Sequence, residues 1–84
     1  MTPMEIFEIC KESILGNVRT CGGNPSYRYY SGEILGARLA CNYLDGADRA
    51  ALTDAANEAL AELREVVTAE GGGDWKDGVI RIWT

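Results

Sequence analysis

Ser31-Gly32-Glu33-Ile34-Leu35-Gly36-Ala37-Arg38-Leu39-Ala40-Cys41-Asn42-Tyr43-Leu44 is the stretch on which the fold turns. Read with a period of two, Leu35, Ala37, Leu39, Cys41 and Tyr43 line one face, as in a strand. Read with a helical period, Ser31 is the cap, Glu33 sits in the first turn, and Ile34, Ala37, Cys41 and Leu44 align. Alanine, leucine and arginine favour the helix, and Asp45-Gly46 is a natural stop. A helix over 32–44 is therefore expected. A strand over 33–43 would instead place a small sheet beneath the helix that follows.

That following helix is the best ordered pattern in the chain. Between Asp48 and Glu70, Leu52, Ala56, Ala59, Leu60, Leu63, Val66 and Val67 recur at three- and four-residue intervals. They fall within roughly 120° of the helix circumference, the width of a core-facing stripe. Asp54, Glu58, Glu62 and Glu65 fall within roughly 80° on the other side. Asp45-Gly46-Ala47 then makes a tight joint between two antiparallel or sharply angled helices.

On the N-terminal side, Thr2-Pro3-Met4-Glu5 has capping-box spacing with proline in the first turn, so a helix over 3–15 is expected. Ile6, Cys10, Ser13 and Ile14 share one face, flanked by Phe7 and Ile9, and Gly16-Asn17 supplies the stop. Between the first two helices, Val18 to Cys21 reads as a short strand and Gly22-Gly23-Asn24-Pro25 as turn chemistry. Tyr27-Arg28-Tyr29-Tyr30 has the aromatic bias of a strand. A hairpin across 18–30 and an ordered loop packing its tyrosines on the helices both satisfy this segment. After Glu70, Gly71-Gly72-Gly73 ends the long helix, residues 74–78 read as a turn, and 79–83 alternate as a short strand. The expected fold is helix-rich α+β: helices near 3–15, 32–44 and 48–70, with a small β ribbon that includes 79–83.

Eighty-four residues with 46% apolar content make one globular domain near the lower size limit for independent folding. Cys10, Cys21 and Cys41 are odd in number and widely spaced, unlike a secreted disulfide framework. Small buried apolar side chains are the ordinary role for such cysteines, with Cys21 the most exposed. The first fifteen residues carry Glu5, Glu8, Lys11 and Glu12, so no uninterrupted apolar leader is present, and no run is long enough for a membrane span. A reducing cytoplasm is the expected setting.

The chain has no histidine, which removes the usual general base near neutral pH and the commonest metal ligand. The cysteines show no CxxC spacing. Gly71-Gly72-Gly73 follows a helix rather than opening one, so it is not a phosphate loop. No catalytic residue, cofactor or metal is expected. Charge is the informative feature. With 13 acids and 8 bases the net is −5, which argues against direct phosphate binding by the whole domain. Residues 45–77 hold nine acids and three bases, a net of −6, whereas 17–44 hold three arginines and one glutamate, a net of +2. The basic segment is interleaved with Tyr27, Tyr29, Tyr30 and Tyr43, residue types that favour protein interfaces as well as cores.

Glu58 and Glu62 are separated by about 6 Å of helical rise, close to the spacing of phosphates along an extended strand. A solvated face is the ordinary explanation of such a row. In size, absence of catalytic chemistry and the Asp54/Glu58/Glu62/Glu65 row, the chain resembles the small acidic single-domain inhibitors that phages make against CRISPR or restriction complexes. The resemblance rests on size and charge pattern, with no shared motif. It implies a non-enzymatic inhibitor that imitates nucleic acid towards a protein partner with a basic surface. The expected partner-binding residues are Asp54, Glu58, Glu62 and Glu65, with Tyr29 and Tyr30. The other expectation, from a different class, is an oligomerising structural or accessory module using Tyr27, Tyr29, Tyr30 and Trp83.

Overall fold

The Thr2 side chain accepts a bond from the Glu5 amide at 3.1 Å, and the Glu5 carboxylate accepts one from the Thr2 amide at 2.8 Å. This reciprocal cap starts α1, Pro3–Arg19, in a computed structural model that describes residues 1–73. α2 follows at Tyr27–Asn42 and α3 at Arg49–Ala69. Among the described residues there is no strand, so the α+β expectation is corrected to a small all-helical domain. The strand expected at 79–83 and the turn at 74–78 lie outside the described residues.

The hairpin across 18–30 is overturned because both of its arms are helical. α1 does not stop at Gly16-Asn17 but runs on to Arg19, with Thr20 as its cap. Burying Val18 completely, beside Leu15 and Ile14, outweighs the weak preference of glycine and asparagine to end a helix. The true reversal is Gly22-Gly23-Asn24, three consecutive residues with positive φ. Tyr27 to Tyr30 form the first turn of α2, and Ser26, not Ser31, is the cap, accepting from the Tyr29 amide at 3.2 Å. Ser31 is instead fully buried and donates its hydroxyl to the Arg28 carbonyl at 3.0 Å. Tyr27, Ser31, Ile34 and Cys41 recur at helical spacing, and this inward stripe determines the segment against its β-prone tyrosines.

α3 buries Leu52, Ala56, Ala59, Leu63 and Val67, with Leu60 and Val66 half-buried beside them. Asp48 caps its start by accepting from the Ala51 amide at 3.1 Å. At its end the Gly71 amide donates to Thr68 and the Gly72 amide to Val67, with Gly71 left-handed at φ 79°, a Schellman closure. The closure lays Gly72-Gly73 on the loop before α2. The Asn24 amide donates to the Glu70 carbonyl at 3.3 Å and the Gly73 amide to the Pro25 carbonyl at 2.9 Å. The end of α1, the start of α2 and the end of α3 therefore meet at one pole, which makes the bundle up-down-up. Phe7, Leu15, Val18, Tyr27, Ile34, Leu52, Leu63 and Val67 fill the centre.

Candidate partner-binding face

The inward stripe of α3 fixes where its carboxylates point. Asp54, Glu58 and Glu65 are exposed and Glu62 is half-buried, on the side of α3 away from its buried stripe. The basic residues of α3 do not neutralise this row. Arg64 turns to the other flank, with its guanidinium 5.7 Å from the centre of the Tyr27 ring on α2.

A cation on α1 lies within the field of the row. The Lys11 ammonium lies 2.9 Å from Glu8 and 3.4 Å from Glu12. Hydrogen bonding to Glu8 raises the Lys11 pKa, partial burial opposes this, and the charges of Glu8 and Glu62 with the bond to Glu12 add to the rise. Lys11, paired with Glu8 and Glu12, thus also feels the charge of Glu62, and the acidic face continues across the seam between α1 and α3. Glu8, Glu12, Asp54, Glu58, Glu62 and Glu65 against Lys11 leave five negative charges on this side. Reading α3 alone misses Glu8, Lys11 and Glu12, although their three- and four-residue spacing is visible in the sequence.

The tyrosines are separate from this face. Tyr27 is in the core, facing α3. Tyr29 lies about 200° around α2 from Tyr27, so it points away from α3. Tyr29 is 63% exposed and meets half-buried Tyr30 edge-on, ring centres 5.0 Å apart. Burial raises the Tyr30 pKa, with smaller contributions from Cys21, Glu33 and Tyr29. The expected site residues therefore divide between two surfaces: the acidic row on α3, and Tyr29 with Tyr30 at the start of α2.

The remaining chemistry is sparse. Cys41 is buried, Cys10 half-buried and Cys21 exposed, and all three are free thiols. Burial pushes the Cys41 thiol up, and the neighbouring Cys10 adds to that. Among the described residues no cluster of three or more His, Cys, Asp or Glu could hold a metal ion. An open groove of about 470 Å³ runs between Ile9, Cys10, Ser13 and Asn17 of α1 and Glu33 and Ala37 of α2. Glu33 is its one charged group. Among the described residues no helix is long and apolar enough to cross a membrane. No family profile matches the chain, and no curated protein or solved structure is significantly similar to it.

Proposed function

We propose that the chain is a non-enzymatic inhibitor that acts in the cytoplasm by presenting its α1–α3 acidic face to the basic groove of a nucleic-acid-handling protein complex, in the manner of an anti-CRISPR protein. The observation that carries this reading is the carboxylate row on one helix, exposed at Asp54, Glu58 and Glu65 and half-buried at Glu62, with Arg64 drawn off to the Tyr27 ring. Carboxylates fixed on a helix meet arginine and lysine without the entropic cost of ordering a loop. Their summed field also steers a basic partner before contact. Lys11 pairs with Glu8 and Glu12 without cancelling the face, because several negative charges remain around it.

The test is a capture from bacterial lysate with two baits, the wild-type chain and the Glu58→Gln/Glu62→Gln variant. The reading requires a nucleic-acid-binding protein that is retained by the wild type, lost by the variant and released by added double-stranded DNA. Equal capture by both baits, or retention unaffected by DNA, contradicts it.

A further inference from the structure

The outward side of α2 is apolar along its whole length, although it faces solvent. With Tyr29 set as zero on the helical wheel, Gly32, Gly36, Leu39, Ala40 and Tyr43 fall within about 100°. Tyr29, Leu39 and Tyr43 are 63%, 52% and 78% exposed. Gly32, Gly36 and Ala40 are exposed between them, and a β-carbon at either glycine would meet nothing within 4 Å. Tyr29 and Tyr43 thus stand at the two ends of a shallow centre of small residues, with Leu39 along one edge of it.

We infer that this face docks against the same face of a second copy, with the two α2 helices antiparallel about an axis through Gly36. Tyr29 and Tyr43 each lie seven residues from Gly36, and Gly32 and Ala40 each lie four. Antiparallel apposition therefore sets each copy's Tyr29 against the other's Tyr43 and each Gly32 against Ala40. This is the self-complementarity that a two-fold interface requires. Missing side chains at the centre let the helix axes approach closely enough for the tyrosines to overlap.

Charge selects this face for a second copy. Each chain carries a net −5, and the outer sides of α1 and α3 hold its acidic surface. Copies meeting through those sides would stack like charges. The α2 face has exposed Glu33 at one margin and exposed Arg28 at the other, each about 20° outside it on the wheel, and antiparallel pairing sets Glu33 opposite the other copy's Leu39. Arg28 is the single base flanking the face, short of the cluster of roughly four to eight Lys/Arg with which a helix recognises an anionic lipid surface. Area sets the strength. At ~150–250 Å² per aromatic side chain, the two tyrosines offer about 300 Å² per copy, and the rest of the face does not bring this to the ~800 Å² per partner of a standard interface. The dimer is accordingly weak and reversible. It leaves the acidic row uncovered and stands independently of the proposed inhibitory function.

The experiment is sedimentation equilibrium of the intact chain from about 10 µM to about 1 mM, at low and high salt. A monomer–dimer equilibrium is expected, tightened several-fold by salt as the repulsion between two acidic chains is screened. Gly36→Glu places bulk and charge on the axis and should weaken dimerisation at least about tenfold, with helical circular dichroism retained. Tyr29→Ser/Tyr43→Ser should weaken it comparably without adding charge, and Glu58→Gln/Glu62→Gln should not weaken it. A wild-type chain that stays monomeric throughout overturns the inference. So does a dimer that survives both α2 variants, which would move self-association to another surface or to residues 74–84.

Discussion

Gly36 and Gly72 show how differently two glycines of one chain are constrained. Gly36 lies within α2 with open space where a side chain would go. Gly72 lies against Pro25, and a β-carbon there would overlap the Pro25 backbone and ring. In urea denaturation, Gly36→Ala should raise stability by about 1 kcal/mol, through helix propensity alone. Gly72→Ala should lower it by about 1–3 kcal/mol, because backbone rather than a pliable side chain must move. Equal effects would contradict the contact between Gly72 and Pro25. The three thiols give a second comparison at this scale. Cys21 should react first with a thiol reagent under native conditions and Cys41 last, since Cys41 is 2% exposed and its thiolate is disfavoured by burial. Rapid labelling of Cys41 would mean that α1 and α2 do not close over it.

The helices differ in how far they can be read from sequence. α3 is legible because Asp48, the Leu52-to-Val67 stripe and the glycine stop all agree, and the Thr2/Glu5 cap fixes the start of α1 equally well. The joint between α1 and α2 is not legible, because local signals there oppose tertiary burial. Gly16-Asn17 signals a stop, but Val18 is needed in the core. Tyr27 to Tyr30 signal a strand, but Tyr27 and Ser31 are needed on the inward side of a helix. The cap of α1 also carries a pH dependence. The Thr2 amide, then the Thr2 hydroxyl, lower the Glu5 pKa. A carboxylate with a depressed folded value stabilises above its unfolded pKa, and that stability is lost as pH falls through the folded value. Acidification to below the ordinary glutamate range should therefore fray α1 from its N-terminus, seen as lost amide protection at Glu5 and Ile6, whose amides both donate to Thr2. Thr2→Ala should cost about 1 kcal/mol at neutral pH. Glu5→Gln, which keeps an acceptor for the Thr2 amide but cannot ionise, should remove that acid dependence, and a variant retaining it would contradict the role of Glu5 in the cap.

At the scale of the molecule, packing three helices sorts the charge into two sides. Half of the candidate site was legible in sequence, since the α3 row follows from a single helical period. The rest required the fold: Lys11, Glu8 and Glu12 join the row only because α1 packs beside α3, and Tyr29 leaves it because α2 turns Tyr27 inward. The two sides respond oppositely to salt, which screens repulsion between copies but also screens attraction to a basic partner. Replacing Glu58 and Glu62 by glutamine should change folding stability by no more than about 0.5 kcal/mol, because relief of their mutual repulsion offsets the lost attraction of half-buried Glu62 for Lys11. In a basic interface each carboxylate is worth roughly 1–3 kcal/mol. The decisive measurement is a calorimetric titration of the captured partner with wild-type and Glu58→Gln/Glu62→Gln proteins at low and high salt. The proposed function predicts at least about tenfold weaker binding by the variant and a wild-type affinity that falls as salt rises. Equal affinities without salt dependence would show the row to be a solvated face and contradict the mimicry of nucleic acid.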